Sequence, residues 1–131
     1  MDISKYLNVK YKFNGRGKKN QYDCIGLVIH VLNDNKINIP ETDGKPINKN
    51  WVKNNPDRLI NFLNQHGEQI DINEKLPLDL VVFLFKNIPK HIGVVVDNYR
   101  FLHIFENSTA HISRFSKWKK RFHSAWRIRG D

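Results

Sequence analysis

The hydrophobic pattern of this 131-residue chain changes character at Pro77. Upstream, apolar residues fall at helical spacing. Downstream come five short β-rich segments separated by turn residues: Leu80 to Phe85, Ile92 to Val96, Arg100 to Phe105, Thr109 to Phe115 and Phe122 to Ile128. Consecutive strands without intervening helices pair antiparallel, because parallel neighbours need a crossover of a dozen or more residues. The pattern therefore predicts an α+β fold with an antiparallel sheet of about five strands, not an alternating α/β sheet. A chain of this length buries roughly two-thirds of its unfolded surface, enough for one core, so a single domain over 1–131 is expected.

In the helical half, Asp2 to Leu7 reads as a short helix, followed by a basic, glycine-bearing loop over about 8–21. The run Cys24-Ile25-Gly26-Leu27-Val28-Ile29-His30-Val31-Leu32 is apolar almost all round, and periodicity alone leaves helix and strand open. Its β-branched content favours a strand. Asp23 as N-cap and Asn33-Asp34-Asn35 as a stop favour a buried helix, which is the reading adopted. Residues 36–55, with Pro40, Gly44 and Pro46, form a polar loop long enough to wall a cleft, and Pro56 to Leu63 a short amphipathic helix.

Composition matters mainly for what it excludes. With 40% hydrophobic residues, 14 Ile and 15 aromatics, the chain is not disordered. No uncharged stretch reaches the roughly 18 residues of a membrane span, and Met1-Asp2-Ile3-Ser4-Lys5 lacks the shape of a secretion signal. A soluble protein is expected, either cytoplasmic or carried to its target by a virion or secretion system. The net charge of +9 sits at the ends: residues 1–20 hold six Lys or Arg against one Asp, and residues 114–131 hold seven against one. Such ends attract an anionic polymer, or they are simply a solvated face.

The single cysteine, Cys24, cannot form an intrachain disulfide. In the first turn of a helix capped by Asp23, its sulfur would face unpaired N–H groups and the positive end of the helix dipole, which favour a thiolate nucleophile. The alternative is an inert core residue. A nucleophile needs a base, and His91 and His103 lie on adjacent predicted strands. With a two-residue turn at Asn98-Tyr99, His103 pairs with Val94 and the two imidazoles fall on opposite faces. With a three-residue loop at Asp97-Asn98-Tyr99, His103 pairs with Gly93, one pleat from His91 on the same face, and Gly93 leaves room for the rings. That loop calls for a positive φ, assigned to Asn98. The six histidines show no zinc-site spacing, so no metal and no cofactor are expected.

Four ordered blocks now stand together: Tyr22-Asp23-Cys24-x-Gly26-Leu27-Val28, Pro77-x-Asp79-Leu80-Val81-x-Phe83, His91-x-Gly93-Val94-x-Val96 and Arg100-Phe101-Leu102-His103. Over about residues 11–128 they resemble the NlpC-type (NlpC/p-sixty) papain-like cell-wall cysteine peptidases. The resemblance implies a Cys-bearing helix packed on the sheet, with Cys24 as nucleophile, His91 as general base and later acid, and His103 as the polar third member holding the His91 ring. It further implies that Tyr22 helps shape the oxyanion or substrate site, with Asp23 as cap and substrate-facing acceptor. The implied substrate is a peptide-type amide in peptidoglycan stem peptides or muropeptides. Three positions depart from the pattern: Ile25 stands where Ser is usual, and Leu78 and Tyr99 where Gly is common.

A compact chain with a bulky residue after Cys resembles the phage-tail-associated subgroup, which would make phage tail or secretion proteins partners. Alternatives on the same fold are a catalytically silent structural component and an acyltransferase or deamidase using the same thiol. The basic stretch with Trp118 and Trp126 also admits a nucleic-acid reading, set aside in favour of a core Trp126 flanked by exposed lysines.

Overall fold

The computed structural model describes residues 2–45, 48–49 and 51–130. Pro46, expected in the polar loop, lies outside the described residues. The expected helix at Asp2 to Leu7 is a 3-10 turn over Ser4–Tyr6. The loop that follows carries two two-residue strands, β1 (Lys10–Tyr11) and β2 (Gln21–Tyr22), paired in parallel with Tyr11 beside Tyr22. The Cys-bearing run is a helix, α1 (Cys24–Asp34), begun by Asp23, whose carboxylate accepts the amide of Gly26. The polar loop contains a single helical turn, α2 (Trp51–Asn54), and the amphipathic helix, α3, runs Arg58–His66.

Six strands follow: β3 (Gly67–Ile70), β4 (Leu80–Phe85), β5 (Ile88–Val95), β6 (Arg100–His103), β7 (His111–Arg114) and β8 (Phe122–Ile128). They form one antiparallel sheet in the order β3-β8-β4-β5-β6-β7. The strand absent from the expected set is β3. Its sequence, Gly-Glu-Gln-Ile, carries almost no hydrophobic pattern, and it joins the sheet as an edge through backbone pairing with β8.

Strand alternation sorts the buried residues onto two faces. On one, Leu80, Val82, Ile92, Val94 and Leu102 meet Leu27, Val28, Val31 and Leu32 of α1 and Leu59 and Leu63 of α3. On the other, Val81, Phe83, Val95, Phe101 and Ala125 are covered, among the described residues, by flanking side chains: Ile70 and Ile72 at and after the end of β3, and Phe115, Trp118 and Phe122 from the 3-10 turns before β8 and its first residue. Trp126 is core, 3% exposed, and the lysines at 117, 119 and 120 are not buried.

Turn chemistry sets the register. Lys86 and Asn87 both take positive φ (53° and 64°), the primed turn suited to the β4–β5 hairpin. One residue is then skipped: Phe83 pairs with His91 and Leu84 with Pro89, so Lys90 is a bulge. Leu78, in place of the usual Gly, adopts the conformation Gly would favour (φ 78°), at the third position of a turn closed by the Asp79 amide on the Leu76 carbonyl. Asp79 itself, 4% exposed, is held by both Nε and Nη2 of Arg127 at 3.0 and 2.8 Å.

Candidate active site

Cys24 opens α1, and the loop before it locks that end in place. Gly26 has no room for a side chain: a Cβ there would overlap the carbonyl of Gly15, which also accepts the Asp23 amide. Asp23 Oδ1 binds the Gly26 amide and Arg16 Nη1, the latter at 2.8 Å, so this carboxylate is occupied by cap and clip together. The amides of Cys24 and Ile25 have no oxygen acceptor among the described residues, as expected at a helix start. The thiol lies 3.8 Å from the carbonyl of the bulged Lys90.

The β5–β6 loop has the three-residue form. Val94 pairs with Leu102 and Val95 with Phe101, so the next step sets His103 opposite Gly93. Asn98 does not take a positive φ. The turn is made instead by Asp97, whose carboxylate accepts the Tyr99 amide at 2.9 Å and Arg100 Nε at 2.9 Å, a side-chain substitute for the strained residue. A Cβ on Gly93 would stand 2.9 Å from the Leu102 carbonyl and 3.3 Å from His103 Cβ, so the glycine supplies the space in which the rings meet.

They do meet. His91 Nε2 is 2.8 Å from His103 Nδ1, and His103 Nε2 is 2.7 Å from Ser113 Oγ on β7. His91 is 3% and His103 0% exposed. The His91 ring stacks near Phe85 and Trp118 (centroids 5.1 and 5.6 Å), and His103 contacts Phe101 and His111 (both 4.5 Å). Among the described residues no side-chain nitrogen is both buried and unpartnered, and Nδ1 of His91 has no protein partner. Nδ1 therefore opens on the cleft that His91 and Cys24 both line.

That cleft has a volume of about 850 Å³. Glu41, Thr42, Asp43, Trp51 and Val52 wall one side, so the long polar loop does border a cleft as its length suggested. Lys12 and Arg16 from the first basic segment and Arg121 from the last reach the same space, joined by Lys49 and Lys90. Tyr22 does not line it. Its ring is 4% exposed and stacks on His30 at 5.0 Å, in the core. The tyrosine in the cleft wall is Tyr11, set beside Tyr22 by the β1–β2 pairing, and burial raises its phenol to about 12. Sequence reasoning missed Tyr11 and Ser113; the parallel pairing of two dipeptides and a serine ten residues from His103 leave no periodic signal.

Electrostatically the site is neutral at its centre. Burial pushes the Cys24 thiol up to about 12, and the Asp23 carboxylate adds to it. The amides of Ile92 and Ile25 and the Arg16 charge pull the other way without prevailing. The expected lowering by the helix start is thus outweighed by desolvation. Burial likewise lowers His91 to about 3 and His103 to about 2. Among the described residues no three His, Cys, Asp or Glu side chains converge as metal ligands, and no helix is long and apolar enough to cross a membrane.

Known structures share this fold. The chain aligns at 23% identity with the structure of NlpC1 from Trichomonas vaginalis (TM-score 0.69), covering 96% of this chain and 41% of that one. A lipoprotein-like NLP/P60 protein from Staphylococcus aureus gives 19% identity and TM-score 0.69 over 97% and 39% of the two chains. The NlpC/p60 domain of the peptidoglycan hydrolase SagA gives 14% and 0.63 over 95% and 91%. The chain thus spans about two-fifths of the first two proteins and nearly all of the SagA domain. No significant match was found among curated protein sequences. The NlpC/P60 family model matches residues 8–127, including the Cys24 helix end and both strands of the imidazole pair, and the chain therefore belongs to the NlpC/P60 family.

Proposed function

We propose that this chain is a cysteine hydrolase that cleaves peptide-type amide bonds in peptidoglycan stem peptides, with Cys24 as nucleophile, His91 as base and then acid, and His103 orienting His91. The observation that carries the reading is the 2.8 Å contact between His91 and His103, which leaves Nδ1 of His91 open to the cleft that also holds Cys24. Supporting it, the SagA domain of similar fold is named a peptidoglycan hydrolase, and cations from both basic ends suit an anionic substrate.

The proposed chemistry follows from these positions. The Cys24 S–H proton passes to Nδ1 of His91 while sulfur attacks the amide carbon, so both charges form together and attract one another in a dry site. The amides of Cys24 and Ile25 at the helix start donate to the oxyanion. His91 returns its proton to the leaving amine, and water, deprotonated by His91, hydrolyses the thioester. Asp23, held by the cap and Arg16, keeps the helix start in place.

Incubating the wild type and Cys24→Ala with defined muropeptides, with products read by mass spectrometry, tests the reading. Cleavage by the wild type and a loss of about 10³-fold or more in Cys24→Ala with the fold intact are expected. A second reading, a catalytically silent structural component, is favoured by one observation, the half-buried thiol held in its neutral form. Slow alkylation of Cys24 at neutral pH, no muropeptide cleavage and co-purification with a phage tail or secretion component would establish it instead.

A further inference from the structure

We propose that Ser113 sets the tautomers of the imidazole pair: its hydroxyl holds the His103 proton on Nε2, which in turn holds the His91 proton on Nε2 and leaves the His91 Nδ1 lone pair facing the cleft. The inference deepens the hydrolase reading and rests on it for its catalytic meaning.

A neutral imidazole has one N–H and one lone pair, so the line His91 Nε2···His103 Nδ1, His103 Nε2···Ser113 Oγ admits two proton arrangements. In one, every proton points outward toward Ser113, and His91 Nδ1 is free to accept. In the other, Ser113 donates to His103, His103 donates to His91, and His91 presents an N–H to the cleft, where it cannot act as a base. The charged intermediate decides between them. Once the Cys24 S–H bond breaks, its electron pair stays on sulfur and its proton sits on Nδ1, so His91 carries hydrogen on both nitrogens. Its Nε2–H then requires a lone pair on His103 Nδ1. The His103 proton must therefore be on Nε2, which requires an acceptor in turn.

Ser113 Oγ is that acceptor at 2.7 Å. It stands opposite Phe101 across β6–β7, on the face that carries His103. His103 is sealed from water while Ser113 is only half-buried, so the serine's own hydrogen can turn outward to solvent. His111, paired with His103 across the strands, does not compete through Nδ1, which donates to the Thr109 carbonyl at 2.9 Å. Ser113 touches neither thiol nor cleft and is a positioning residue.

The test is a long-range proton–nitrogen NMR spectrum of the histidine rings of the ¹⁵N-labelled full chain at pH 7, which reads the tautomers without turnover. The wild type should show both His91 and His103 as Nε2–H. Ser113→Ala should move His103 to a mixture containing Nδ1–H, and lower muropeptide kcat about tenfold with KM unchanged. Ser113→Thr, which keeps the hydroxyl and suits a strand, should restore spectrum and rate. Nδ1–H rings in the wild type, an unchanged ring pattern in Ser113→Ala, or a Ser113→Thr spectrum like that of Ser113→Ala would each overturn the assignment. A wild type with both protons on Nε2 that cleaves no muropeptide supports the tautomer assignment and removes the hydrolase reading, so the two failures are distinct.

Discussion

On the α1 side of the sheet the side chains between helix and strands are aliphatic, Leu27, Val31 and Leu32 against Leu80, Val82, Ile92 and Leu102, with aromatic residues such as Tyr6, Phe62 and Trp126 around them. On the opposite side they are largely aromatic, Phe83, Phe101, Phe115 and Trp118 around two imidazoles. The first face is sealed by an 11-residue helix, the second by turns of three residues and their side chains. Both come from the same strands, odd and even residues of β5 serving one face each. The difference separates two jobs. The α1 face supplies stability by burying mainly aliphatic side chains, its polar atoms being few and paired, as the Trp126 indole N–H is to Ser124, whereas the aromatic face gives up some of that cohesion to hold two imidazoles neutral and in contact.

The comparison breaks first at the helix. Leu32→Ala, at a fully buried position on the aliphatic face, should cost about 2–5 kcal/mol in urea unfolding while leaving the His91 and His103 ring resonances unmoved. Gly93→Ala attacks the other face. Its methyl group must displace the Leu102 carbonyl, the Phe101 ring or His103, at a cost of about 1–3 kcal/mol, and unlike Leu32→Ala it should separate the two imidazoles in the ring spectrum.

Acid should load the aromatic face selectively. With His91 held near 3 and His103 near 2, the unfolded chain takes up protons below about 6.5 while the folded chain does not. Stability is therefore full above that pH and falls as pH drops toward 3, by about 1.4 kcal/mol per pH unit for each imidazole. His91→Gln should flatten the slope of unfolding free energy against pH by one such increment, and an unchanged slope would contradict the burial argument. The smallest effect is expected from Trp118→Ala. With the ring removed from beside His91, the imidazole should titrate closer to its ordinary range, a modest upward shift of its midpoint read by NMR titration.

Much of this was legible along the chain. Phe122 to Ile128 and Leu80 to Phe85 are strands at the expected bounds, and Asp23 caps a helix where composition alone was ambiguous. The three-residue loop was legible as a condition: only that register lets His91 and His103 share a face, and the pairing of Val94 with Leu102 has it. What carries the turn was not legible, since Asp97 caps it through its side chain while Asn98 stays at negative φ. Nor were β3, the Tyr11 wall, the Tyr22 core position or the Ser113 contact, each of which depends on partners far along the chain rather than on neighbours at a fixed spacing.

The sequence by itself determined the α+β order, the helix start that carries the lone cysteine, and the strand positions of the two histidines, because capping and alternation are local properties of consecutive residues. The tertiary structure alone decided that the helix start is too dry to favour a thiolate, that a bulge at Lys90 turns a carbonyl onto the sulfur, and that a serine on the outer strand closes the line of imidazoles. Desolvation and hydrogen-bond partnership are properties of what surrounds a group in space, and a chain read in one dimension does not contain them.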